Sequence, residues 1–244
     1  MANVFSDITG ALGRVVKWLM VAVLVPLAVG LLLGMLEQAE LVVMAGASAR
    51  DWIQWGFASY VGMHLLLYRP VPVFRASHRL FASLAVWLFG GQVASMEGGG
   101  GGGSKGKASK GGKGGKGDPA LSGSPLVAFS PYVIPLYVIL VCAAGWLLAH
   151  WVDRMFVEAP LSVLVGVTMA FHWLMTADDL QQQRARWHLE TYLLAISLVF
   201  VLTLLIGGAC LPWAIPEFSF VRALADGFSK TQAIYTTLVQ RLFL

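Results

Sequence analysis

Apolar residues fall in long uncharged runs, and polar residues gather between the runs rather than alternating within them. A helix of about 20 apolar residues crosses a bilayer, and six runs come close to that length: Trp18–Leu36, Trp52–Tyr68, Leu80–Met96, Ala120–Val152, Ala159–Ala177 and Thr191–Pro216. The third reaches back to His78 if Arg79 lays its stem along the apolar surface and keeps its head at the lipid headgroups. The pattern predicts an all-α integral membrane protein with about six transmembrane helices.

Punctuation between the runs divides the chain. Residues 1–97 hold the N-terminal membrane helices, 98–117 a linker, 118–216 the C-terminal membrane helices and 217–244 an amphipathic tail. Residues 2–15 are expected as a short interfacial helix, weakened by Gly10 and Gly13. Within the second run Gly56, Ser59, Tyr60, Gly62 and His64 suit helix–helix contact better than lipid. Arg69-Pro70-Val71-Pro72 stops it, because proline cannot continue the hydrogen-bond ladder. Pro125, Pro131 and Pro135 predict an irregular or re-entrant stretch over Leu121–Ile134, then a regular helix from about Pro135 to Trp151. Non-helical backbone at membrane depth needs cover from protein or water, which places Phe129-Ser130-Pro131-Tyr132 towards the bundle interior. Residues 178–190 read as a polar connection. In the tail, Phe218, Val221, Leu224, Phe228, Ile234, Tyr235 and Leu238 recur at threes and fours, predicting a helix that lies on the membrane or on the bundle.

Composition agrees: 57% of residues are hydrophobic and 12% charged, where soluble domains carry about 25% charged residues. The linker holds twelve Gly and five Lys in twenty residues, has no apolar area to offset its ordering entropy, and is expected to be disordered. Its lysines also account for the net charge of +4; without those five the remainder is −1. The basic character therefore gives no nucleic-acid groove, and anionic lipid or plain solvation suits it better. Setting those lysines aside, Lys and Arg favour the N-terminal side of six spans, hence a cytoplasmic N-terminus. Cys142 and Cys210 each sit inside an apolar run without C-x-x-C spacing, as small buried hydrophobes do. The first run is long and lacks a clear cleavage site after it, so a retained helix is expected.

Three stretches together resemble the site-2-protease-like intramembrane zinc metallopeptidases, in particular a compact bacterial branch. His78–Gly91 is similar to the zinc-motif helix ending Leu88-Phe89-Gly90-Gly91, Phe129–Tyr137 to a Pro-rich segment, and Phe171-His172 with Thr176 and Asp178 to a third helix. The resemblance covers about two-fifths of the chain and implies a multi-pass protein of the bacterial inner (cytoplasmic) membrane. It departs from the family at the chemistry. Where the family has H-E-x-x-H, this chain has His78, Arg79 and Ala82. A methyl group has no lone pair for zinc, and a guanidinium is always protonated, so it repels the ion and cannot act as base.

The expectation is a catalytically inactive homologue, a pseudoprotease that binds membrane helices or partner proteins, without a cofactor. One alternative is an active atypical zinc metalloprotease using His78, His172 and an Asp such as Asp178. Another is a small transporter or channel component, with His64, His172, Asp178 and Asp179 lining a polar path. Hydrogen bonding of His64 and His172 across the bundle is the plainer use of those side chains.

Overall fold

The computed structural model describes residues 2–66, 132–183 and 188–243. The chain divides into two compact units, and the unit formed by Met1–Phe74 and Tyr132–Leu244 contains every described residue. The run 80–96, the Gly/Lys linker and the motif positions His78, Arg79 and Ala82 lie outside the described residues.

Six helices form this unit: α1 Ala2–Glu40, α2 Ala49–Leu66, α3 Leu136–Leu148, α4 Arg154–Gln183, α5 Leu189–Ala214 and α6 Phe220–Phe243. Three contain stretches long and apolar enough to cross a membrane: Ala11–Glu40, Arg154–Gln182 and Leu189–Ala214; Leu136–Leu148 is equally apolar in character but shorter. The interfacial helix expected over 2–15 is continuous with the first run, because helix stabilised over so many residues absorbs the weak propensity of Gly10 and Gly13. The polar stretch expected to connect at 178 is helical to Gln183, with Leu180 fully buried.

One departure from all-helix is a β-hairpin, β1 Val43–Met44 paired antiparallel with β2 Ala47–Ser48. Its two-residue turn holds Ala45 at φ 47° and Gly46 at φ 82°, the left-handed pair that matches strand twist. Ser48 then opens α2 with a reciprocal cap. Its Oγ accepts the Asp51 backbone N–H at 3.1 Å, and Asp51 Oδ2 accepts the Ser48 N–H at 3.1 Å. Ser48 Oγ also donates to Asp51 Oδ2 at 2.7 Å, and this bond, with that from the Ser48 N–H, holds the Asp51 carboxyl below its ordinary range. Trp52 Nε1 donates to Met44 O at 3.2 Å, tying the hairpin to the helix it introduces.

Contacts along the helices fix their directions. α5 runs parallel to α1, with Lys17 Nζ donating to Thr191 Oγ1 near one end and Met35 against Gly208 near the other. α3 also runs parallel to α5, from Val133 beside Thr203 to Gly145 beside Ala214. α4 runs against both. α2 follows α4 from the Gly56–Val163 crossing to His64 beside Asp178. The amphipathic tail is not laid flat but packs antiparallel along α1. Lys230 pairs with Glu37 at 2.6 Å and Gln38 Nε2 donates to Asp226 at 3.3 Å; Tyr235 Oη donates to Val23 O at 2.6 Å. Helices therefore alternate in direction through the sequence.

Two backbone crossings hold this arrangement. A Cβ on Gly34 would lie 2.4 Å from Gly227 N, and one on Gly30 2.0 Å from Thr231 Oγ1, so α1 and α6 touch almost backbone to backbone. At the α2–α4 crossing, a Cβ on Gly56 would meet Val163 O at 2.0 Å, and one on Gly166 would meet Ile53 O at 2.0 Å. The apolar core runs between these crossings, through Leu31, Val138, Cys142, Val165, Leu204 and Ile215. Both cysteines are free and buried.

Candidate functional site

Polar side chains concentrate where α2 stops and α3 begins, beside the middle of α5. His172 is buried on α4. Its Nε2 lies 3.0 Å from Tyr132 O. A carbonyl only accepts, so Nε2 carries the proton and donates. Thr203 Oγ1 on α5 lies 3.5 Å from the same nitrogen and 3.2 Å from Val133 O. One histidine and one threonine thereby satisfy two carbonyls just before α3, where proline-rich backbone leaves acceptors without helical partners.

Tyr132 is held at its other end too: its Oη donates to Asp179 Oδ2. His172 and Asp179 are seven apart, two turns along one face of α4, and both reach the same residue. Asp178 points elsewhere. Its Oδ2 is 3.9 Å from Nε2 of His64, a buried residue on the last turn of α2. His64 Nδ1, Tyr60 Oη and Thr176 Oγ1 are buried without a hydrogen-bond partner. Tyr60 meets Phe171 edge-on at 5.7 Å between ring centroids, and Phe171 meets Tyr137 edge-on at 5.3 Å. Aromatic edges therefore wall the polar groups off from the core.

The sequence candidates separate as follows. The structure brings His172 and Asp179 onto Tyr132, and His64 onto Asp178. It places His172 and Asp178 on the same helix but directs them to different partners. Among the described residues no three His, Cys, Asp or Glu side chains gather as they would to hold a metal ion. The zinc-motif positions lie outside that set. Nε2 of His172, donating to a carbonyl, has no lone pair for a metal in this arrangement; a metal would have to meet Nδ1 instead, and the described donors do not by themselves complete a zinc site.

Sequence reasoning missed Thr203 and the double use of Tyr132. Thr203 carried a signal, being the only hydroxyl in the apolar stretch 198–211. It missed Glu190 as well, a carboxylate buried in the first turn of α5, next to the Thr191 hydroxyl that Lys17 engages. No family model, curated protein or solved structure matches this chain.

Proposed function

We propose that this chain is a multi-pass membrane protein without hydrolytic activity, which works by binding other membrane helices or partner proteins. In this proposal it is a degenerate member of the site-2-protease-like metallopeptidases, located in a bacterial inner membrane. The use of His172 carries it. The one described histidine that the resemblance offers to zinc spends its Nε2 proton on Tyr132 O, and the aspartate on its face accepts from the same tyrosine. In this reading, groups that would serve a metal in a hydrolase act as ties that fix the entry to α3, Nε2 of His172 and Oδ2 of Asp179 both being engaged by Tyr132. In the sequence, Arg79 and Ala82 occupy the motif positions where the family has its base and second ligand. Three helices with lipid-compatible composition support the membrane setting.

The test is metal analysis of detergent-purified protein, with a single-span helical peptide library as prey for site-specific photo-crosslinking. Sub-stoichiometric zinc that His78→Ala leaves unchanged, together with crosslinks to helical segments, is the expected result. Stoichiometric zinc lost in His78→Ala, or chelator-sensitive cleavage of a single-span substrate, refutes it and favours the active metalloprotease with His78, His172 and Asp178. The His64–Asp178 contact favours a second reading, a transport component with a titratable path. That reading requires proton-coupled flux abolished by Asp178→Asn.

A further inference from the structure

At the opposite end of the bundle, α3 ends, α4 begins and α5 ends around one cleft of about 350 Å³. The size falls within the range of ligand pockets, roughly 300–1,000 Å³. Its position follows from the sequence: three apolar helices reach their limits together at Leu148, Arg154 and Ala214. In a bilayer, such a level is the boundary between acyl chains and water. Trp146 and Trp213 line the cleft with half their surface exposed, the position tryptophan takes at that boundary.

Groups of both charges line the same cleft. Arg154 and Glu158 lie four apart on one face of the first turns of α4, and both line the cleft. Among the described residues neither is in an ion pair with the other or with a third group. His150 lines it too; its Nδ1 is 2.8 Å from Trp146 O, so that nitrogen carries the proton. In that tautomer Nε2 is an acceptor. The cleft thus offers a guanidinium fork for an anion, and a carboxylate with an imidazole nitrogen for a hydrogen-bonding cation, with apolar rings beside them.

We propose that this cleft binds the headgroup of an aminophospholipid: its phosphate on Arg154 and its primary ammonium on Glu158 and His150. Guanidinium suits phosphate by its planar pair of donors. A primary ammonium has N–H groups to give to carboxylate and imidazole, which a quaternary ammonium lacks. A glycerol headgroup has no positive charge for Glu158. The acyl chains would leave along the exposed apolar flank of α3, past Leu147 and Leu140. This inference rests on the membrane setting proposed above and not on the fate of the zinc motif. A free phosphoethanolamine presents the same two charges without chains.

The experiment is native mass spectrometry of delipidated protein offered phosphatidylethanolamine, phosphatidylglycerol and phosphatidylcholine at equal concentration. Alkaline carbonate extraction of the source membranes runs beside it. Expected is retention of phosphatidylethanolamine about tenfold above the other two, the discrimination one charge-assisted contact supplies. Arg154→Gln lowers retention of all three lipids, and Glu158→Gln brings phosphatidylethanolamine down to the level of phosphatidylglycerol. Equal retention of the three by the native sequence overturns the inference, and so does an Arg154→Gln protein that binds as before. Should that variant not purify folded, the comparison among lipids on the native sequence decides. Displacement of retained lipid by soluble phosphoethanolamine overturns the assignment to lipid in favour of the free headgroup; no displacement supports it. Release of the protein by carbonate refutes the membrane setting itself, whereas retention without lipid preference refutes only the headgroup site.

Discussion

Replacing Gly56 by alanine tests the packing that aligns His64 with Asp178. The added Cβ would lie 2.0 Å from Val163 O, 2.8 Å from Val163 C and 3.0 Å from Val163 Cα, all of them backbone atoms that no rotamer change moves aside. Ordinary contact for such atoms is about 3.5 Å, so α2 and α4 must part by roughly 1.5 Å. Overpacking of this kind costs typically 1–3 kcal/mol, against which alanine returns about 1 kcal/mol of helix propensity. A net loss of about 1–2 kcal/mol is expected, towards the upper end because parting the helices also loosens the contacts of both with their neighbours. Gly62 on the same helix is the internal control: nothing lies within 4 Å of its added Cβ. Gly62→Ala is therefore expected to be neutral or to stabilise by about 0.5–1 kcal/mol. Gly166→Ala, whose Cβ would meet Ile53 O at 2.0 Å, behaves like Gly56→Ala, and the double variant loses less than the sum, since either substitution opens the same crossing. The assay is thermal unfolding in detergent, read by the soluble fraction on size-exclusion chromatography. A Gly56→Ala midpoint at or above that of the native sequence, or equal shifts for Gly56→Ala and Gly62→Ala, refutes the backbone crossing.

Other expectations concern the polar end, the cap and the topology. Tyr132→Phe removes the donor to Asp179 while keeping the ring, and a loss of about 1–2 kcal/mol in the same unfolding assay is expected; an unchanged midpoint speaks against the tie. Ser48→Ala removes an acceptor at the start of α2 and costs about 1 kcal/mol. The depressed Asp51 carboxyl contributes stability that is present above the ordinary carboxylate range and is lost as pH falls through its lowered value. Asp51→Asn flattens that acid limb, and an identical acid limb in both proteins contradicts the cap. Alternating helix direction puts the start of α1 and the end of α6 on one side, so reporter fusions at the two termini should give the same sign, and insertion in the 45–46 turn the opposite one.

The apolar runs located α5 to within two residues at each end and α4 to within six, because a stretch without charge has few other uses. They failed at the boundaries where polar residues join a helix for tertiary reasons. Asp178 and Asp179 looked like a connection until His64 and Tyr132 supplied partners two elements away. Neither partner is adjacent in sequence, so no local pattern pointed to them. The hairpin was hidden by strands of two residues, too short for any alternation. Its signs were Ala45-Gly46 and the Ser48-x-x-Asp51 spacing. The tail showed an amphipathic period but not its resting place, which depends on Gly30 and Gly34 meeting Gly227 and Thr231 across about 200 positions of sequence. At the site, the sequence grouped His172 with Asp178 and Asp179, and that Asp179 is the one sharing a partner with His172 became visible only through Tyr132.

The hairpin has a consequence for whoever approaches this protein. At its end of the bundle the described links between helices are 41–48, 149–153 and 215–219, all brief. In the membrane setting proposed above, a visitor reaching the described residues from that compartment meets tryptophan and short bends, so recognition through these helices begins sideways, from within the lipid.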